Sequence, residues 1–221
     1  MIPKIAHFHW EGQPINWLRM AGVHTFAKLN PRWEVRLVRT PDHIRARNLP
    51  LLAHEADWTW FEVLERDGGF AMATDTVFVK PIPDEWCEGD FCGCTNGTGN
   101  IFHCCIGSIP GTEFLSRCVR GCETVPPIAL DYQAMGVLMM QHTVKKMGGL
   151  GRLGRMVDMP PEALCPVGWW QPERCWAREP LPITDDTIGV TWFGGHESNR
   201  EWDIPADAAI VRLAHEVIGD T

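Results

Sequence analysis

The segment that decides the fold is GGFAMATDTVFV, residues 68–79. Its mostly apolar run from Phe70 to Val79 predicts a strand, which Lys80-Pro81 closes. Asp75 is the single acid within this run. A buried carboxylate is costly unless it is paired, hydrogen-bonded or bound to a cation. Asp75 is therefore either a functional group or an acid with a structural hydrogen bond.

The segments on both sides of this strand alternate between strand and helix patterns. Strands are predicted at 2–10, 33–38, 101–109 and 187–193. Helices are predicted at 16–29, 52–66, 112–123, 131–147 and 206–218. A further helix is predicted to start at Thr40-Pro41-Asp42, with Thr40 as its cap. Residues 151–186 are irregular. This order predicts one α/β domain over residues 1–221, with a Rossmann-type, mainly parallel sheet and helices on both faces.

Composition narrows the classes of function. The formal charge of -8 argues against broad nucleic-acid binding, because a phosphate backbone requires a concentrated basic surface. The sequence has no signal-peptide pattern and no apolar run long enough for a transmembrane helix. With an odd number of cysteines, nine, complete pairing within the chain is impossible. We therefore expect a reduced, cytoplasmic protein without a transmembrane segment.

Three predicted strand ends carry polar or aromatic groups beside a glycine or a turn. They are His7–Gly12, Ala73–Thr76 and Trp192–Glu197. Sheets of this class bind ligands at the carboxyl ends of their strands, so these segments are the candidate site.

The same segments resemble the family 32 glycosyltransferases. Residues 2–12, IPKIAHFHWEG, are similar to that family's first strand, Ile-Pro-Lys-Ile-Ile-His-x-x-Trp-x-Gly. Residues 30–37 and 56–64 resemble its second strand and the helix that leads into its Gly-Gly-x-Tyr-x-Asp-x-Asp motif. The resemblance covers residues 1–110 well and the remainder faintly.

The resemblance implies a GT-A fold that transfers a hexosyl or hexosaminyl group with retained anomeric configuration. The donor is a nucleotide-diphosphate sugar and the acceptor a glycan, a lipid-linked group or a protein. Residues 1–110 then form the nucleotide-sugar-binding half and 111–221 the acceptor-side half.

The resemblance also assigns roles to individual residues. Asp75 binds Mn²⁺ or Mg²⁺, which bridges the donor phosphates, and His196 or Glu197 completes the metal shell. Trp10 lies against the nucleobase, and Asp57 accepts hydrogen bonds from sugar hydroxyls. Asp57 and Asp75 are thus the predicted catalytic residues, and the predicted donor-binding residues are His9, Trp10, Gly12, Asp57, Thr74, Asp75 and Trp192.

Two departures from the family pattern concern charge. The first acid of the motif falls at Ala73, and the arginine that clamps the sugar falls at Trp60. Their loss removes interactions typically worth a few kcal/mol of transition-state stabilisation. The alternative function is therefore a degenerate, non-catalytic relative that binds a nucleotide sugar, a glycan or a protein partner.

Four of the candidate residues also have structural interpretations. In the structural interpretation, Trp10 packs under a loop and Asp57 caps the helix that contains Trp60. His196 is a loop residue in the same interpretation. Asp131, at the predicted start of a helix, is a cap rather than a base.

Two other metal sites are consistent with the sequence. His7 and His9 share one face of a strand, and together with Asp75 they would define a metal-dependent hydrolase; otherwise they are core residues. Cys92-x-Cys94 with Cys118-x-x-x-Cys122 lacks the usual spacing of structural zinc, and the second pair fits an apolar helix face.

Overall fold

The computed structural model describes residues 1–12, 14–95, 101–127, 131–194 and 204–219, and of residues 102–104 only the backbone. Its residues form two compact units. The first unit comprises Met1–Gly12, Glu34–Met72 and Pro83–Met159, and the second comprises Gln13–Trp33, Ala73–Ile82 and Pro160–Thr221. The predicted division into halves at residue 110 stays a prediction.

The described residues form eight strands, seven α-helices and three short 3₁₀-helices. The strands are β1 (Ile5–His9), β2 (Glu34–Val38), β3 (Gly69–Met72), β4 (Thr76–Phe78), β5 (Phe91–Cys94), β6 (Phe102–Ser108), β7 (Met156–Asp158) and β8 (Gly189–Thr191). The α-helices are α1 (Trp17–Leu29), α2 (Asp42–Arg45), α3 (Leu52–Asp67), α4 (Glu113–Thr124), α5 (Val137–Met147), α6 (Glu173–Trp176) and α7 (Ala209–Ile218). The 3₁₀-helices span Asp84–Cys87, Leu150–Leu153 and Pro161–Ala163.

The first unit is built on a six-stranded sheet with the order β2-β1-β3-β6-β5-β7. Strand β6 is antiparallel to both of its neighbours, and the other neighbouring pairs are parallel. Five strands therefore run in one direction. Helix α3 packs on β1, β3 and β6, and α4 packs between α3 and α5. The predicted α/β class and the mainly parallel sheet are confirmed.

The second unit surrounds the antiparallel pair β4–β8. Helices α1 and α7 pack on β4 and on each other, and α6 packs on α7. Fully or almost fully buried apolar side chains fill the space between these elements, among them Leu18, Val77, Val190, Trp192 and Ile210. This core holds β4 and the turn that precedes it in place.

Local capping explains three of the helix boundaries. The Asn16 side chain accepts a hydrogen bond from Arg19 N at the start of α1, and Thr112 accepts one from Leu115 N at the start of α4. Gly148 adopts a left-handed conformation at the end of α5. Such caps satisfy backbone groups that a helix end leaves unpaired, and they confirm these predicted boundaries.

Two predicted helix starts are wrong. Pro41, not Thr40, is the N-cap of α2, and no side chain caps this helix. Helix α5 begins at Val137 rather than at Asp131, because the Asp131 carboxylate accepts a hydrogen bond from Gln133 N within a separate turn. The capping interpretation of Asp131 therefore applies to this turn and not to the helix.

The predicted strand from Phe70 to Val79 is also wrong. It is divided into β3 and β4 by a turn at Thr74-Asp75, so Asp75 does not lie within a strand. Strand alternation consequently does not place Ala73 and Asp75 on one face. Strands β5 and β7 were not predicted, because both are short and they pair with each other in parallel across a long stretch of chain.

A substitution at Gly22 can test how closely α1 packs on the segment that contains Asp75. A Cβ at this position would lie 2.5 Å from Thr76 O and 2.9 Å from Thr74 O, both of them backbone atoms. Within a helix Ala is favoured over Gly by about 1 kcal/mol. We nevertheless expect Gly22→Ala to lower the free energy of unfolding in urea by about 1–3 kcal/mol, because rigid backbone opposes the methyl group.

The matched control is Gly151→Ala in a 3₁₀-helix, where a Cβ would meet no atom within 4 Å. This variant should keep the parent's stability. A Gly22→Ala protein as stable as the parent would show that α1 does not contact the turn this closely.

Candidate functional site

The carboxyl end of β1 is held by a hydrogen-bonded network within the first unit. Trp10 N donates to Val38 O over 3.1 Å, and the His9 ring nitrogen Nε2 lies 2.9 Å from Thr40 Oγ1. Thr40 N in turn donates to Glu11 Oε2 over 3.1 Å. The ends of two neighbouring parallel strands are therefore joined through side chains as well as through the sheet.

Arg45 extends this network from α2. Its Nη1 donates to Glu11 Oε1 over 3.1 Å, and its Nη2 donates to Thr40 O over 2.8 Å. The Arg45 side chain is partly exposed, so the ion pair itself adds little stability. Its geometric effect is larger, because it holds Glu11 and Thr40 in the positions that orient His9.

His9 is a neutral group in this network. The side chain is buried, and burial lowers its pKa to about 4, although the negative charges of Glu11 and Asp57 oppose the shift. A neutral imidazole offers one hydrogen-bond donor and one acceptor. His9 therefore suits an uncharged polar partner better than a phosphate, and its predicted role in donor binding stays a prediction.

Trp10 and Gly12 follow His9 at the strand end. Trp10 is half-buried, so part of its side chain is accessible while the rest packs against protein. Gly12 is exposed and has a φ of 92°, a conformation that favours glycine. A Cβ on it would come no closer than 4.0 Å to Leu52 Cδ1, so the turn and not the available space requires glycine here. Both predicted donor-binding roles stay predictions.

Asp57 lies in the interior of α3, which begins at Leu52, so the interpretation of Asp57 as the cap of this helix is wrong. Its half-buried carboxylate lies against Gly136, the N-cap residue of α5, where a Cβ would come within 2.9 Å of Asp57 Cγ. A carboxylate is stabilised near a helix N-terminus. Asp57 therefore packs at the start of another helix, and its sugar-binding role stays a prediction.

His7 has a structural contact. Its ring is fully buried, and Nε2 donates to Gly68 O over 2.9 Å, which joins β1 to the end of α3. Burial lowers the pKa of His7, so this ring is also neutral near pH 7. These contacts support the interpretation of His7 as a core residue.

The metal sites considered from the sequence do not bring several ligands close together in the described residues. Within the described part of the chain, no group of three or more His, Cys, Asp or Glu side chains is close enough to hold a metal ion. The cysteines of the considered zinc site are buried thiols, and burial raises the pKa of Cys118 to about 12. His196, the second predicted metal ligand, lies outside the described residues.

Asp75 makes two hydrogen bonds to the segment that follows β8 in the second unit. Its carboxylate oxygen Oδ2 accepts from Gly194 N at 2.7 Å, and its backbone oxygen accepts from Trp192 N at 3.0 Å. Phe193, between these two donors, has a φ of 53°. A left-handed conformation is rare for a bulky residue and typically costs about 1–3 kcal/mol. The hydrogen bond to the charged carboxylate offsets part of this cost.

Thr74 and Arg19 meet beside Asp75. Thr74 is buried, and its hydroxyl oxygen accepts from Arg19 Nη1 at 2.8 Å. Arg19 lies in the first turn of α1, where the helix dipole disfavours a positive charge. Arg19 was not among the residues predicted from the sequence, although a cation at the start of a predicted helix is a pattern that the sequence contains.

Trp192 is part of the core of the second unit. Its side chain is fully buried among apolar neighbours that include Val77 and Val190. The ring therefore packs inside the unit, while the backbone of Trp192 bonds to Asp75. The predicted role of Trp192 in donor binding stays a prediction.

The lowered pKa of His9 predicts a pH dependence of stability. Below pH 6.5 the ring binds a proton in the unfolded chain, whereas the folded form stays neutral until about pH 4. The contribution of the neutral His9 to the free energy of unfolding is therefore fully present above pH 6.5 and is lost as the pH falls towards 4. The shift corresponds to about 3 kcal/mol of unfolding free energy.

Urea titrations at several pH values between 7.5 and 4 measure this effect. His9→Gln should flatten the decline of unfolding free energy in that range. The control His142→Gln changes an exposed histidine and should keep the parent's slope. Equal slopes for the parent and His9→Gln would contradict the burial of a neutral His9.

The contact between Asp75 and Gly194 predicts a second effect on stability. Asp75→Ala leaves Gly194 N without its acceptor, and we expect the free energy of unfolding to fall by about 1–3 kcal/mol. Asp75→Asn keeps an oxygen acceptor and should lose less than half as much. The exposed Asp185→Ala is the matched control and should change little. An Asp75→Ala protein as stable as this control would argue against a structural role.

Comparison with known proteins supports the fold. No protein-family model and no curated protein matches the chain. The structure is similar to that of the PaToxG glycosyltransferase, with a TM-score of 0.52 at 13% sequence identity, over 66% of this chain and 69% of that chain. At this identity the likeness concerns the fold alone. The chain has a glycosyltransferase-like α/β fold, consistent with the GT-A type, and no family model supports family 32 in particular.

Among the helices that the structure describes, none has both the length and the apolar composition needed to cross a membrane.

Proposed function

We propose that this protein is a glycosyltransferase that moves a sugar from a nucleotide-diphosphate sugar to a glycan, a lipid-linked group or a protein. The observation that carries the proposal is the position of Ala73-Thr74-Asp75. This segment resembles a glycosyltransferase motif, and it forms a turn directly after β3 in a chain with a glycosyltransferase-like fold. A hexosyl or hexosaminyl donor, retention of anomeric configuration and kinship with family 32 belong to the same proposal.

The end of β1 supplies the groups proposed to bind the nucleoside. Trp10 is half-buried and therefore partly accessible, and an indole ring can stack on a base. Such stacking is typically worth about 1–3 kcal/mol. His9 is neutral and held by Thr40, which suits a hydrogen bond to an uncharged base or ribose group.

Asp57 is the group proposed to bind the sugar. Its carboxylate is half-buried and lies close to Gly136 at the start of α5. A partly accessible carboxylate at this position can accept hydrogen bonds from sugar hydroxyls.

The predicted Mn²⁺ or Mg²⁺ fits the described residues poorly. These ions require several oxygen ligands, but Ala73 supplies none and one carboxylate oxygen of Asp75 accepts the bond from Gly194 N. The predicted ion stays a prediction, and His196, the other residue predicted to bind it, lies outside the described residues. The roles proposed above for Trp10 and Asp57 do not depend on the ion.

The main alternative, a relative that binds without turnover, is favoured by one observation. Trp60, at the position of the family's sugar-clamping arginine, is buried within the first unit. A buried indole cannot provide the charge that a guanidinium provides to a sugar or phosphate. A protein of this kind would still bind nucleotides through Trp10 and His9.

Release of labelled sugar tests the proposed function. The protein is incubated with radiolabelled UDP-, GDP-, ADP- and CDP-sugars, with and without Mn²⁺, and slow donor hydrolysis is measured. We expect hydrolysis of one donor class, and a loss of at least about tenfold in Asp57→Asn, because its carboxylate contacts the sugar. The control Asp42→Asn changes an exposed acid of the same unit and should keep the parent's rate.

The other outcomes separate the two functions. Nucleotide binding without any sugar release would support the non-catalytic alternative. Neither binding nor release with any of these donors would contradict the proposed function. Equal rates for Asp57→Asn and the parent would remove Asp57 from the sugar site.

A further inference from the structure

Two adjacent tryptophans of the second unit, Trp169 and Trp170, have most of their surface in contact with solvent. Their exposed fractions are 60% and 68%. The centroids of the two rings lie 6.3 Å apart, and the ring planes meet at 86°. Large aromatic side chains are usually well buried, because their apolar area is large. Two such rings side by side on a surface are typical of a binding site.

The turn that carries the two rings is anchored in the core of the second unit. Val167 before the turn and Cys175 after it are fully buried in that core. Between them, Gln171 N donates to Gly168 O over 2.9 Å. The Trp170 ring packs on Gly168, where a Cβ would lie 2.5 Å from the ring atom Cζ2. The exposed rings therefore belong to a turn that the core anchors on both sides.

A small pocket lies beside the helix that follows the two rings. It has a volume of about 270 Å³ and is lined by Arg174, Ala177, Glu179, Pro180, Leu181 and Pro182. Arg174 N donates to Gln171 O over 3.1 Å, so the pocket begins one turn of chain after Trp170. Its volume is near the lower end of ligand pockets, about 300 Å³. The lining combines apolar carbon with one cation and one anion, which suits a ligand that has both C–H and hydroxyl groups.

The exposed area of the two rings is small for a protein interface. A fully covered tryptophan buries about 150–250 Å², so the pair at its exposed fractions offers about 200–300 Å². A stable interface requires about 800 Å² from each partner. A second copy of the chain therefore needs much more surface than the pair provides, whereas a sugar ring is similar in size to one indole.

The charge of the same region argues against a membrane surface. Aromatic surfaces that bind membranes carry Lys and Arg on their polar side, because the lipid headgroups are often anionic. The segment from Gln171 to Pro182 contains two acids and two arginines, which are Glu173, Glu179, Arg174 and Arg178. This balance gives no excess of positive charge, and the whole chain has a formal charge of -8. An uncharged ligand is therefore favoured over an anionic one.

We propose that Trp169, Trp170 and the pocket at Arg174 form a binding site for a neutral oligosaccharide. The C–H face of a sugar ring packs on the exposed indoles. Hydroxyls of a neighbouring sugar donate to the Glu179 carboxylate and accept from the Arg174 guanidinium. Binding requires neither a nucleotide nor turnover, so the inference goes beyond the proposed function and does not depend on it.

Calorimetric titration with neutral hexasaccharides, in the absence of nucleotide, tests the proposal. The probes are cellohexaose, maltohexaose, laminarihexaose, mannohexaose and chitohexaose. The parent should bind at least one of them. Trp169→Ala and Trp170→Ala should each weaken that binding at least about fivefold, because each removes a ring that contacts sugar. The double variant should lose it, and Trp170→Phe, with a smaller ring, should lie between Trp170→Ala and the parent.

Two matched controls separate this site from a general effect of substitution. Trp17 is 45% exposed in the same unit, but its ring stacks on His215 with the centroids 4.5 Å apart. Trp17→Ala should therefore bind the oligosaccharide like the parent. Arg174→Gln should weaken binding severalfold, whereas Arg178→Gln, which changes an arginine paired with Asp207, should not.

Several results would overturn the proposal. Parent-like affinity in both alanine variants does so, and so does absence of binding for all five probes. If Trp170→Ala lacks the parent's thermal transition, Trp169→Ala and Arg174→Gln decide, and parent-like binding in both rejects the site.

The other possible occupants are tested with the double alanine variant. Flotation of the parent with phosphatidylglycerol vesicles that this variant abolishes would identify a membrane surface instead. Dimerisation in sedimentation equilibrium that it abolishes would identify a second copy of the chain. The release of labelled sugar from a donor is measured without oligosaccharide, so failure of this inference is distinguishable from failure of the proposed function.

Discussion

The hydrogen bond from Gly194 N to the Asp75 carboxylate is the constraint on which the second unit depends. It joins residues 119 positions apart and holds Phe193 in a conformation that a bulky residue rarely adopts. The backbone bond between Asp75 and Trp192 acts in the same direction, and the ring of Trp192 fills the core beneath. The pair β4–β8 begins directly beside this contact, so its register depends on the same carboxylate.

This structural role changes how the motif is interpreted. An acid that holds a strained turn stabilises the fold whether or not the protein transfers sugar, so this role of Asp75 is separate from its proposed role in catalysis. Arg19 also has a structural contact here, because its guanidinium donates to the Thr74 hydroxyl and so joins α1 to the motif turn.

In the first unit, by contrast, a neutral polar side chain is held in place by its neighbours. Burial keeps His9 uncharged, and the contacts of Thr40, Glu11 and Arg45 define where its ring points. The Asp57 carboxylate lies against the start of α5. A side chain held in one orientation reduces the entropy that binding of a ligand has to overcome, so this network suits the binding role proposed for His9.

The sequence by itself determined the features that depend on neighbouring residues: the approximate ends of α1 and α4, the glycine that ends α5, and the α/β alternation. It also located Asp75 through a family motif. Only the tertiary structure decided that the apolar run from Phe70 to Val79 breaks at a turn, because packing of α1 and the bond to Gly194 outweigh a continuous strand pattern. The pairing of β5 with β7 and the approach of Arg19 to Thr74 likewise join residues far apart in the chain, and no local pattern encodes such contacts.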